Sequence, residues 1–463
     1  MAALAIVTWR YVRAWVEFVL VRTISSYALT VLYSKAGMKT SLLFIASIFL
    51  VSATDARAAD QVIYPTGAFP QDLENVQAAV NVGGRVLLKA TDVNGAPQAF
   101  NFGPATASGR RVTTVRDTEI VGETTGAAMT TVIGGNLAIL SLGGHLAVRG
   151  IHFDGQRAAA VLIAVSTGAE ITGNWITHVT GFPTPFGVKK GQGIWVTFVS
   201  SIEAISGNLL ISDNLIDNID AEEGLGIAMA GFASEARVVR NRIRGVNTEG
   251  ILVVGNLGPV WVEDNVVIPG PEKFPGIASA GIGIAAGMNT LLFGLTELGG
   301  PYYINRNEVV CDNPNADCIL LFESRGAVVT NNHLVLRGAF DGITLLNDAS
   351  DSYIGQNRVE GTGLFAIDIF QIPLFEPSVR ANTFVGNNIA RMRSEVVDVF
   401  LDVNAQDTVL VGQSGSVVDL GVNNSITGFT KSGSGLGQQI REAQARKHEL
   451  LRALDAIRWP DEQ

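Results

Sequence analysis

The chain reads as an all-β solenoid, short strands wound into stacked coils with one helix near each end. Two observations predict this. An Asn recurs with an apolar residue three positions before it and another two after it, as in Ile171-Asn174-Ile176 and Ile304-Asn307-Val309. Eight copies fall at Asn174, Asn214, Asn241, Asn265, Asn307, Asn332, Asn357 and Asn382, at intervals of 40, 27, 24, 42, 25, 25 and 25 residues. Between them a small residue precedes alternating apolar positions, as in Gly193-Ile194-Trp195-Val196, Gly250-Ile251-Leu252-Val253 and Ala366-Ile367-Asp368-Ile369. Strands this short cannot bury an inner face alone. Coils stacked one strand spacing apart, roughly 4.8 Å, bury it continuously, and about ten coils are expected. Composition agrees: 463 residues, 47% hydrophobic, only 16% charged and with 51 glycines, exclude a disordered chain or a coiled coil.

Taken in order, residues 1–37 hold an apolar stretch broken by Arg13, Glu17 and Arg22, a poor membrane helix. They read as an extension upstream of the true start at Met38, or as a signal anchor. Residues 38–58 read as a secretory signal: Lys39 gives a positive start, Leu42 to Val51 an apolar run too short to span a bilayer, and Ala56-Arg57-Ala58 a small-x-small cleavage site. The mature chain, secreted or periplasmic, then begins at Ala59 without a stable membrane span. Removing the first 58 residues moves the net charge from −10 to −14. Such an acidic protein lacks the Lys/Arg excess that nucleic acid requires. Export also places the two cysteines, Cys311 and Cys318, in an oxidising compartment, where a local disulfide is expected.

Residues 59–85 form an N-terminal cap and 86–430 the solenoid. The Asn column marks a sharp bend, where Asn tolerates the left-handed conformation and its amide bonds the next Asn; this ladder is read as structural. Residues 431–439 (KSGSGLGQQ) are a flexible linker. Residues 440–463 carry Ile440, Ala443, Leu450, Leu451, Leu454 and Ile457 at helical spacing, an amphipathic helix that covers the last coil's edge or packs on the barrel side.

With the Asn repeat, the segment Asp72 to Val80 (DLENVQAAV) followed by Gly83 to Leu88, and Leu146 to Phe153, resemble the right-handed parallel β-helix of the pectin-lyase-like superfamily. The resemblance implies a capping helix, a first strand and a first complete coil at those places. It implies function only weakly, because lyases, hydrolases, epimerases, adhesins and non-catalytic proteins share the scaffold. In the enzymes it resembles, substrate lies along the first strand of each coil. The outward positions there are Trp195, Ala228, Leu252, Gly283, Leu320, Thr344 and Asp368, a mostly apolar floor. The family's polygalacturonase and pectate lyase motifs are missing.

Candidate site residues come from the flanking turns. Asp317 and Asp341 precede equivalent steps on adjacent coils, roughly one strand spacing apart. With Asp368 and Arg325 they make a candidate catalytic group: the carboxylates could act as acid and base or hold calcium, the one cofactor suggested, and Arg325 could pair with a substrate carboxylate. Trp195, Glu323 and Asp348 are the candidate substrate-binding residues. An Asp before Gly is also an ordinary turn residue. The expected partner is an extracellular polysaccharide, bound and in the enzymatic reading modified by a lyase, hydrolase or epimerase; the alternative is a non-catalytic structural or adhesion protein contacting envelope proteins.

Overall fold

The computed structural model describes residues 60–106, 111–125, 128–183, 189–197, 207–230, 235–254, 256, 258–270, 279–285, 300–370, 379–412, 414–432, 436, 438–443 and 445. The two segments read as an upstream extension and a signal lie outside them. Within them the chain is a parallel β-helix with three faces. The first face is a stack of fourteen strands, from Gln61–Ile63 to Ser425–Thr427. That exceeds the number of Asn repeats because the rungs at both ends lack the motif. The second face includes His152–Asp154, Trp175–Thr177 and Leu215–Asp217, and the third includes Ala159–Val165, Lys189–Thr197 and Glu223–Ala230. Late in the chain these two faces merge, because His333–Leu346 pairs first with Glu308–Cys311 and then with Ala316–Phe322.

The repeat now has a geometric meaning. The residue three before each Asn from Asn174 to Asn357 points inward from the first face, as Ile171, Ile211, Val238 and Val262 do in register. The residue two after it points inward from the second, as Ile176, Ile216, Ile243 and Val267 do. All eight are fully buried. Burying each stabilises the fold by roughly 1.5–3 kcal/mol, and the columns together form one continuous core.

Between the first and second faces, each Asn from Asn174 to Asn357 is locked to its neighbours. Asn241 Nδ2 donates to Asn265 Oδ1 at 3.0 Å and to Ile211 O at 2.9 Å, and its backbone N–H donates to the same Asn265 oxygen at 2.9 Å. Two expectations need correction here. The left-handed residue is the one before the Asn: Asp213, Arg240, Asp264, Arg306, Asn331 and Gln356 have φ between 54° and 57°. The bend is made there, which frees the Asn amide to bond along the column. Among the described residues the ladder's last member is Asn387, whose Oδ1 accepts from Asn357 N–H and Nδ2. Asn382 stands at another corner, before its first-face strand, accepting from Ser352 N–H and donating to Ala349 O.

The small residue that precedes the alternating apolar positions of the third face also has a cause. A Cβ on Gly193, Gly226, Gly250 or Gly281 would lie within 3 Å of a β-branched side chain of the second face, Ile216, Ile243, Val267 or Val309. Cys318 occupies the same column one coil later. The disulfide expected between it and Cys311 is not formed: both are buried free thiols in the core. Cys311 Sγ instead donates to Asp317 O at 3.6 Å, and burial pushes the Cys318 thiol well up, its contact with Cys311 adding to this.

At the start, the helix Gln71–Val82 buries Leu73, Val76, Ala79 and Val80. Asp72, fully buried, accepts from Thr66 N–H and Oγ1 at 2.7 Å and from Asn101 N–H at 2.9 Å, tying the helix to the first coils. The first rung, Gln61–Ile63, precedes this helix and pairs with Gly84–Leu88, so the solenoid begins inside the segment read as cap. At the other end residues 438–443 are helical, and Ile440 and Ala443 pack on Phe365, Phe400 and Val418 at the barrel side. Leu450 and beyond lie outside the described residues.

Candidate functional site

The outward column of the third face runs in register through Trp195, Ala228, Leu252, Gly283, Leu320, Thr344 and Asp368 to Phe400, as strand alternation predicts. Much of it is covered. Trp195 is only 3% exposed and stacks beneath Phe182 with ring centroids 6.4 Å apart. Thr344, Asp368 and Phe400 are buried as well.

The sequence-predicted residues fall into three places. Asp341 is fully buried, its Oδ2 accepting from Thr344 Oγ1 at 3.1 Å, and Thr344 stands opposite Asp368 on the next coil. Asp317 stands opposite Ala280, and the Ile319 to Ile343 pairing carries its row toward Asp341. Glu323, Arg325 and Asp348 gather at the corner that follows the third face. There Arg325 Nη2 meets Asp348 Oδ2 at 2.5 Å and Ser350 Oγ donates to Asp348 Oδ1 at 3.1 Å. Burial pushes the Glu323 carboxyl up, opposed by Asn347 and reinforced by Asp348. Trp195 is remote from both groups in sequence and lies five coil positions from Thr344 in the column. Among the described residues no three His, Cys, Asp or Glu side chains are grouped to hold a metal.

A second charged group lies at the start of earlier third-face strands. Lys190 Nζ meets Glu223 Oε1 at 2.6 Å, and these two residues are partners in register. Glu249 belongs to the next coil, and its carboxyl is raised to about 7 by burial and then by the charge of Glu223, with Thr248 and Lys190 opposing. Because the folded state disfavours the ionised form, stability is present below the ordinary value of 4.5 and is lost as pH rises toward 7. The expected result is that Glu249→Gln leaves the urea midpoint unchanged at pH 4 and stabilises the protein at pH 8 by about 1–2 kcal/mol after solvent screening. Equal midpoint shifts at both pH values would contradict a titrating Glu249.

The third group lies on the second face. His152 and Trp175 are outward partners on adjacent coils, stacked with centroids 4.1 Å apart and 14° between planes. Trp175 remains 38% exposed. Two residues on in each strand, Asp154 Oδ1 accepts from Thr177 Oγ1 at 2.9 Å and meets His178 Nδ1 at 2.7 Å. Since the Thr177 proton lies on Asp154, the 3.0 Å contact between His152 Nε2 and Thr177 Oγ1 is closed by a proton on the imidazole. The hydrogen bond to Asp154 raises His178, and burial lowers His152. Burial of Asp154 is outweighed by its bonds from His178 and Thr177, so its carboxyl lies below the usual range. One strand position further along the axis, Asp217 pairs with Arg244 at 2.6 Å. Two imidazoles pushed in opposite directions beside one carboxylate can supply both an acid and a base. The signal in the sequence was the step from His152 to Trp175, each just before an inward residue, Phe153 and Ile176, which puts both in one outward column.

No protein-family model matches the chain, and no curated protein matches it. Solved structures similar to it include the Dettilon tailspike protein, with a TM-score of 0.40 and 14% identity over 74% of this chain and 70% of that one. The A-module of the Azotobacter vinelandii mannuronan C-5 epimerase AlgE6 has a TM-score of 0.34 and 13% identity, covering 79% of this chain and 96% of its own. A mannuronic acid specific polysaccharide family 6 lyase from the human gut microbiota has a TM-score of 0.30 and 11% identity, covering 86% and 99%.

Proposed function

We propose that this is an exported β-helix protein that binds extracellular polysaccharide along its second face. The observation that carries this is the exposed Trp175 on His152, flanked in adjacent columns by the hydrogen-bonding set Asp154, Thr177 and His178 and by the Asp217–Arg244 pair. An aromatic ring beside polar groups repeated once per coil suits a polymer whose units repeat along the axis. The signal-like residues 38–58 support export, and the covered third face leaves the second as the more accessible polar side.

The test is retention of the purified protein on immobilised pectin, alginate and neutral glucan, with Trp175→Ala beside it. Retention of the parent and about tenfold weaker retention of the variant are expected. No retention on any glycan would discard the reading in favour of an envelope protein contacting other proteins. Unsaturated uronides or new reducing ends in the same samples would add catalysis, with the His152, Asp154 and His178 group as its first suspect.

A further inference from the structure

On the same second face, several coils from Trp175, positive charge is concentrated on an otherwise acidic protein. Three consecutive strands, starting at His333, Arg358 and Asn388, pair in register here. One row places His333 opposite Arg358, the next places Glu360 opposite Arg391, and the third runs Arg337, Thr362, Arg393. All four arginines are exposed, Arg391 over 74% of its side chain. Among the described residues a single carboxylate serves the group: Glu360 accepts from His333 at 2.7 Å and from Arg358 at 2.6 Å, and lies 3.8 Å from Arg391. Arg337 and Arg393 have no ion-pair partner among the described residues. Glu308 borders the patch beside His333. Glu395 follows the last strand, with its backbone N–H on Gly363 O and no ion pair to either arginine among the described residues.

We propose that this patch is a binding site for an acidic polysaccharide, with Arg337 and Arg393 each taking an acid group of the chain across Thr362. The inference rests on the polysaccharide-binding reading above and names its ligand class. Arg337 and Arg393 stand two strand spacings apart, roughly 9.5 Å, and each guanidinium can grip a carboxylate or sulfate through two N–H groups. A row with charges this far apart suits a polymer carrying about one charge per sugar. Duplex DNA, with a charge every 1.7 Å or so, is far denser, and the protein's net charge of −10 repels it beyond the patch. The outward column of the third face is mostly apolar and carries no Arg or Lys from Trp195 to Phe400. The cations instead stand on the face that also bears Trp175.

The experiment compares the full chain with the double variant Arg337→Gln and Arg393→Gln for binding to alginate, neutral glucan and a DNA duplex at about 50 and 200 mM salt. Both substitutions are on exposed positions, and an unchanged melting temperature controls for folding. The expected result is salt-sensitive alginate binding that the variant weakens about tenfold or more, while neutral glucan binding is kept. Alginate binding unchanged in the variant would overturn the site while leaving polysaccharide binding standing. DNA competing as well as alginate would replace it with an unselective polyanion surface. Failure of the parent to bind any glycan would remove both this inference and the reading it rests on.

Discussion

Asn265→Ala is expected to destabilise the protein by about 3–5 kcal/mol, one of the two largest effects of any single exchange considered. Asn265 is fully buried in the middle of the ladder. Its Oδ1 accepts both the backbone N–H and Nδ2 of Asn241, and its Nδ2 donates to Val238 O at 2.8 Å and Asn307 Oδ1 at 3.0 Å. Alanine removes the partner of the Asn241 N–H, of one Asn241 Nδ2 hydrogen and of Val238 O, while Asn307 Oδ1 keeps only the backbone N–H of residue 265, and an unsatisfied buried group costs about 1–3 kcal/mol. Asp264 before it and Arg240 one coil earlier would also have to hold left-handed φ values of 56° and 55° without the bonds that brace the corner. Asn387→Ala, at the half-exposed end of the same column, is the comparison and should cost less. Urea denaturation of both variants, with hydrogen exchange at the Asn241 amide, measures this. Equal losses at the two positions would mean that burial of the ladder contributes little.

Gly250→Ala should cost about 2–3 kcal/mol although it adds one methyl group to an apolar region. The backbone at Gly250 is not left-handed, so the objection is purely steric. A Cβ there would lie 2.1 Å from Val267 Cγ1 and 2.7 Å from Gly281 O. Neither atom can withdraw, one belonging to a stiff β-branched side chain and the other to a backbone bonded along the stack. The double variant Gly250→Ala with Val267→Ala should therefore be more stable than the sum of the single losses predicts, because the second change opens the space that the first requires. Strict additivity in thermal or urea unfolding would refute this packing account.

Much of the architecture was legible because its rules are local. A strand turns successive side chains to opposite sides, so alternation around Ile194, Ile227 and Ile251 predicted an outward column that the observed register reproduces. The recurrent Asn marked the corners because a buried amide that bonds its counterpart must recur once per coil. Locality also explains two misreadings. Asn382 shows the same apolar spacing as the ladder members, yet it belongs to a different corner, and Cys311 and Cys318 have loop-like spacing yet point into the core. Neighbouring residues alone do not state at which corner a bend falls.

The candidate site depended on contacts between residues distant in the chain. From sequence alone came the solenoid of short-stranded coils, the leading helix and the outward partners on the third face, all consequences of backbone periodicity and the burial of apolar columns. Only the tertiary structure decided which outward positions are reachable. Phe182 covers Trp195, and Ile440 and Ala443, arriving from the far end of the chain, cover Phe365 and Phe400. It also brought His152 to Trp175 and Arg337, Arg358, Arg391 and Arg393 to adjacent rungs. Coil lengths vary with their insertions, so side chains separated by unequal stretches of sequence meet only after the core has set the register between coils.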